Sequence, residues 1–221
     1  MSRKTGPKQA LFEQLALVAR ALGSAARLEI LDFLAQGERT VENLAALSGL
    51  SVANTSKHLQ HLRQVGLVEA RREGLHVHYS MSGDDVLETI MALRDLAESR
   101  LAEVDRLVSS YLTSKDGLEP VATEELLERA EGGLVTVLDV RPQEEFAQGH
   151  LPGAVNVPLS ELKAYMARIP KEREVIAYCR GPWCVLSFEA VSLLRAEGYE
   201  ARRLAGGLPE WRHEGLPVSC E

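Results

Sequence analysis

The chain has 221 residues, enough for one large domain or two small ones, and its 45% hydrophobic and 26% charged content is that of an ordinary globular protein. The net charge of −7 argues against a uniformly basic nucleic-acid binder, yet the acid is unevenly spread: residues 1–116 carry 14 Lys+Arg against 15 Asp+Glu, and residues 117–221 carry 11 against 17. The start, MSRKTGPKQ, is basic and polar with no signal-peptide pattern, and no apolar run approaches the roughly 18 residues of a membrane span, so a cytoplasmic protein without a membrane partner is expected.

From Leu11 to about Leu112 the pattern is mostly helical, punctuated at Gly23-Ser24, Gly37, Thr40, Gly49 and Gly66. Ser24, Thr40 and Ser51 each stand just ahead of an apolar-periodic segment, where a side-chain oxygen accepts from first-turn amides, so three short helices are predicted to begin there. The stretch GLVEARREGLHVHYSM then alternates on either side of Arg72-Glu73-Gly74, which predicts a β-hairpin. After Ser82, apolar residues at Val86, Ile90, Leu93, Ala97, Leu101, Val104, Val108 and Tyr111 predict one helix of about seven turns. That is longer than a small domain needs, so part of the stripe is expected to face a second copy of the chain.

Three short helices followed by a hairpin is the order of a winged helix-turn-helix, in which the last short helix enters the major groove of duplex DNA. The predicted reading helix is residues 51–65, whose first fourteen residues, SVANTSKHLQHLRQ, contain no acid. Local charge, more than the total, sets the electrostatic footprint on DNA. Ser51, Asn54, Thr55, Ser56, Lys57, His58, His61 and Arg63 supply short donors, acceptors and cations. Hydroxyls and Asn suit base edges and phosphates, whereas Lys57 and Arg63 suit phosphates alone. Helical period puts positions 54, 57, 58 and 61 on one face and turns Leu59, Leu62 and Val65 inward. In the hairpin, Arg71, Arg72 and His76 are the candidate phosphate contacts. A solvated polar helix with an ordinary hairpin is the alternative.

This run resembles the ArsR/SmtB family of winged-helix repressors through Ser56, His58, Leu59, Leu62, Gly66, Leu67, Val68, Arg72, Gly74 and Tyr79. The similarity covers about residues 12–112 and implies a homodimer that binds an inverted-repeat operator. Metal-sensing members usually carry a cysteine pair before the turn or Asp/His ligands on the last helix. Here TVENLAALSGL has no sulfur, and Asp84 and Asp85 read as first-turn acids facing the helix dipole, so no metal site is expected.

TSKDGLEP, residues 113–120, is polar, contains Gly and ends in Pro, and is read as a linker between domains at 1–112 and 121–221. Beyond it, apolar runs at 134–140, 154–158, 174–179 and 200–207 alternate with helical stretches beginning at Thr123, at Ser160 and near Ser187. That rhythm predicts a mainly parallel sheet covered on both faces. All three cysteines lie after position 178, which argues against a disulfide framework and for thiols that are structural or reactive. Cys179 closes the apolar run EVIAY and leads through Arg180, Gly181, Pro182, Trp183 and Cys184 to Val185 and a helix. Ligands bind outside the carboxyl ends of parallel strands, and amides of a turn and helix start favour anions and a thiolate. An inert buried Cys179 is the alternative. A zinc clip would need four ligands, and these cysteines with His150 and His213 lack the paired spacing of structural sites.

Asp139, Arg141, Glu145, Gly149, His150, Pro152, Gly153, Ala154, Asn156, Pro158, Gly206, Gly207 and Trp211 make residues 118–217 resemble the rhodanese domain. The resemblance implies a doubly wound α/β fold in which Cys179 accepts sulfur as a covalent persulfide, with no separate cofactor. Thiosulfate, persulfide or polysulfide is the implied donor. Phosphatases and arsenate reductases of the same fold place an arginine six residues after the cysteine, where Val185 stands. The loop is about two residues longer than the family's usual one, and Cys184 within it is a candidate resolving thiol for Cys179. Asp139 and Arg141 are expected to tie the first strand to its loops, and His150 to make a structural hydrogen bond. Two functions stay open: a repressor that senses reactive sulfur at Cys179, and a working sulfurtransferase with an autoregulatory DNA-binding domain.

Overall fold

The structure, a computed structural model, describes residues 6–113 and 119–220, so most of the expected linker lies outside the described residues. The chain forms two compact units, Met1–Ile90 and Met91–Glu221.

The first unit is a winged helix-turn-helix. Its elements are α1 (Pro7–Leu22), α2 (Ala25–Ala35), β1 (Arg39–Thr40), α3 (Val41–Ser48), α4 (Val52–Gln64), β2 (Val68–Glu73), β3 (His76–Met81) and the start of α5 (Asp84–Arg100). Helices begin after Ser24, Thr40 and Ser51 as expected. Thr40 Oγ1 accepts from the Asn43 amide at 3.2 Å and Ser51 Oγ from the Asn54 amide at 3.3 Å, while Ser24 caps α2 without a side-chain bond. Ile30, Leu31, Leu44, Leu59 and Leu62 form the buried centre between α2, α3 and α4. The hairpin pairs Val68 with Met81 at one end and Glu73 with His76 at the other; Gly74, at φ 58°, takes the left-handed conformation the turn demands. A third strand, β1, pairs Arg39 with Tyr79 and Thr40 with His78. Two residues are too few to display a period of two, which is why this strand has no signature in the sequence.

The second unit takes up the chain within α5. The single long helix expected after Ser82 is interrupted: Leu101 is extended at φ −108° and ψ 101°, and α6 (Ala102–Leu107) and a π-helical turn over Val108–Thr113 follow. Then come α7 (Thr123–Glu131), β4 (Val135–Asp139), α8 (Gln143–Gln148), β5 (Val155–Asn156), α9 (Leu162–Tyr165), β6 (Glu174–Tyr178), α10 (Val185–Ala196), β7 (Ala201–Arg203) and α11 (Leu208–His213). The strands are all parallel, in the order β5-β4-β6-β7. Both faces of the sheet are packed. Val175 and Ala177 of β6 join one core with Val191 and Leu194, and Ile176 and Tyr178 join the other with Leu126 and Trp211. Burial on both faces explains why β6 reads as an unbroken apolar run. From β4 the chain steps outward to β5 and then returns to the other side of β4 as β6. That reversal makes the carboxyl ends of β4 and β6 the topological switch point, the place where this class of sheet binds ligands. Among the described residues no helix is long and apolar enough to cross a membrane.

Candidate functional site

In the first unit, α4 presents Ser51, Asn54, Lys57, His61 and Arg63 to solvent, with Ser56 and His58 half-buried. Thr55 is different: it is fully buried and its hydroxyl donates back to Ser51 O at 3.1 Å, so the structure withdraws it from the candidate DNA-facing set. The period that turns Leu59 and Leu62 inward places position 55 with them, so the signal was present. Burial first, then the charges of Arg27 and His61, hold the His58 imidazole below its ordinary value. In the hairpin Arg71, Arg72 and His76 are exposed. Arg71 is already engaged, by Glu38 at 2.6 Å and Glu73 at 2.7 Å. The hydrogen bond from Arg71 holds the Glu38 carboxyl below its usual range.

In the second unit, Cys179 follows the carboxyl end of β6, and its carbonyl accepts from the Leu208 amide at 3.4 Å. Gly207 makes that closeness possible: a Cβ there would lie 2.5 Å from Cys179 O and Gly181 N and 2.6 Å from Arg180 C. The loop closes on itself through a Cys184 N–H to Gly181 O bond of 3.1 Å. Cys184 is the extended N-cap residue of α10, and the Ser187 hydroxyl donates to its carbonyl at 3.1 Å. Cys179 and Cys184 form a disulfide across a Cα–Cα distance of 6.2 Å, while Cys220 is free and exposed. The one bridge is local to the loop, five residues apart, and joins Cys179 to its candidate resolving thiol. Cys179 is 1% exposed beneath the half-buried Cys184, and Trp183 stands out at 43%.

Arg180, the first residue of the loop after Cys179, pairs with a carboxylate. Its guanidinium is forked onto Glu145, with Nη2 to Oε1 at 2.6 Å and Nε to Oε2 at 3.0 Å, and Glu145 itself is almost fully buried. The ion pair straps the loop to α8. Below it, Arg141 and Asp139 form a wholly buried pair in which Arg141 also donates to Gly149 O at 2.8 Å. Burial pushes the Arg141 guanidinium toward losing its proton, and the hydrogen bond and charge of Asp139 more than offset this. Tyr178, raised by burial and then by Asp139, accepts from the Leu151 amide at 3.1 Å. His150 bonds Phe146 O through Nδ1 at 2.9 Å and stacks on the Phe146 ring. Asp139, Arg141 and His150 thus hold the frame of the second unit. Glu210 went unnoticed in the sequence: it accepts from the Gly207 amide at 2.9 Å and pairs with Arg94 of α5 at 2.9 Å. No local pattern marks a partner that lies 116 residues away.

Comparison with known proteins agrees with both halves. Residues 24–70 match the model of bacterial regulatory proteins of the arsR family, and residues 122–214 match the rhodanese-like domain. The chain is 43% identical over 218 residues to the HTH-type transcriptional regulator Rv0324 of Mycobacterium tuberculosis, covering 99% of this chain and 96% of that one. It is 36% identical over 85 residues to a sulfurtransferase of Allochromatium vinosum, covering 38% of this chain and 78% of the relative. A probable mercury resistance operon repressor of Streptomyces lividans is 37% identical over 86 residues, 39% of this chain and 69% of the repressor. With a reading helix and wing in one unit, a cysteine at the mouth of a parallel sheet in the other, and a relative similar along nearly the whole length, the chain belongs to the ArsR-type transcriptional regulators that carry a C-terminal rhodanese-like domain.

Proposed function

We propose that the protein is a cytoplasmic, homodimeric repressor that grips a duplex operator with α4 and the β2–β3 hairpin and accepts sulfane sulfur on Cys179. The observation that carries the sulfur half is the placement of Cys179 at the carboxyl end of β6 with Cys184 close enough to bond it. In the reduced loop a Cys179 thiolate attacks the outer sulfur of a hydropersulfide; the new S–S bond forms, the old one breaks, and a thiolate leaves. With thiosulfate the leaving group is sulfite. The α10 start and the turn supply backbone dipoles that favour the anion formed. Apolar side chains left exposed on α1, Leu11, Phe12 and Leu15, and on α5, Leu93 and Leu96, support pairing of two copies.

The test is intact-protein mass after the reduced protein meets polysulfide. The wild type gains sulfur or closes its bridge, Cys184→Ser gains sulfur without closing, and Cys179→Ser does neither at this loop. A Cys179→Ser variant that loads like the wild type would end the proposal.

The second reading, a working sulfurtransferase with a DNA-binding domain attached, draws support from the similarity to the Allochromatium enzyme. Steady thiocyanate production from thiosulfate and cyanide, lost in Cys179→Ala while DNA binding persists and operator affinity is indifferent to sulfur, favours it over the sensor.

A further inference from the structure

Within the second unit, the last turns of α5 meet the sulfur loop through two side chains. Glu98 Oε1 accepts from the Trp183 indole Nε1 at 2.6 Å, and Arg94 Nη1 pairs with Glu210 Oε1 at 2.9 Å, both Arg94 and Glu210 being largely buried. Arg94 and Glu98 are four residues apart and so share a helix face. The two contacts bracket the loop. Glu210 holds the Gly207 amide, and Gly207 touches the backbone at Cys179, Arg180 and Gly181. Gly181 is flanked by Glu210 and Arg94: a Cβ on it would lie 3.5 Å from Glu210 Oε2 and 3.8 Å from Arg94 Nη1. Trp183 immediately precedes Cys184, so an anchored indole fixes where the second sulfur stands.

We propose that Glu98 and Arg94 are positioning residues for ring closure between Cys179 and Cys184, and that α5 thereby sets how readily the bridge forms. This deepens the sulfur-acceptor reading and rests on it for the identity of the donor. The step runs from a hydropersulfide on Cys179. The Cys184 thiolate attacks the inner sulfur, the Cys179–Cys184 bond forms, the bond to the outer sulfur breaks, and hydrosulfide leaves with the electron pair. The Cys184 sulfur is oxidised and the outer sulfur reduced, so no further oxidant enters. An indole N–H to carboxylate bond is charge-assisted. Made in the closed ring and lost when the loop opens, it raises the effective concentration of Cys184 at Cys179. The coupling is reciprocal: a state of α5 that withdraws Glu98 favours the open dithiol, and closure of the ring favours the α5 placement seen here.

The experiment equilibrates the full-length protein, with Cys220 replaced by Ser, in buffers of reduced and oxidised dithiothreitol and counts dithiol and disulfide by alkylation and mass. No sulfur donor takes part, so the result is separate from that of the loading experiment above. Glu98→Ala and Trp183→Phe are each expected to move the equilibrium about tenfold toward the dithiol. Glu98→Gln, which keeps a neutral acceptor, recovers most of the difference, and Arg94→Ala shifts it in the same direction as Glu98→Ala. Glu98→Ala and Trp183→Phe equilibria both within about twofold of the parent would overturn the proposal.

Discussion

The most tightly constrained side chains of the second unit are Asp139 and Arg141, both fully buried and bonded to each other. Removing one charge strands the other in a dry interior, which costs about 3–5 kcal/mol. Asp139→Asn is therefore expected to lower stability by that amount in urea unfolding, far more than a surface carboxylate. Gly207→Ala is the second residue-scale prediction. Its added methyl meets backbone atoms at 2.5 Å, and backbone cannot swing aside as a side-chain tip does. A loss of about 1–3 kcal/mol in the same measurement is expected. The sequence led to the expectation that Asp139 and Arg141 tie the first strand to its loops, whereas Gly207 stood out only as one position of a known pattern. The sequence did not disclose that Arg180 would choose Glu145, because the choice depends on where α8 packs, 35 residues earlier in the chain.

At the scale of elements, α4 carries a pH signature. The folded-state value of His58 lies below its ordinary one, so the unfolded chain takes up the proton first. The folded state therefore suffers no penalty above the ordinary histidine value of about 6.5 and loses stability as pH falls from there through the folded-state value. Urea midpoints across that window are expected to fall less steeply for His58→Gln than for the wild type. The hairpin separates two arginines that look alike in sequence. Arg71 is held by two carboxylates and Arg72 is not held by either of them, so Arg72→Ala is expected to lower the salt slope of DNA binding by about 0.9 and Arg71→Ala by less. Helix starts at Thr40 and Ser51 were legible because capping is local. The break at Leu101 was not: the apolar spacing runs straight through it, and neither Gly nor Pro stands there. The hydrophobic stripe records which face is apolar, and the packing around the chain decides where the backbone leaves the helix.

For the whole molecule, the division of charge follows the division of labour. The nearly neutral first 116 residues hold the acid-free segment of α4, and the acid concentrates in the half with the rhodanese-like domain. Covalent sulfur at one loop alters transcription only if DNA binding differs between the loaded and unloaded states, since an effector acts through differential free energy alone. A coupling of about 1–3 kcal/mol corresponds to about 5- to 150-fold in affinity. The direct measurement is a titration of fluorescent operator duplex, selected from a random pool by the reduced protein, with wild type and Cys179→Ser before and after polysulfide treatment. The account predicts a shift within that range for the wild type and none for Cys179→Ser. Equal operator affinity of the loaded and unloaded wild type, with loading verified by mass on the same samples, would contradict it.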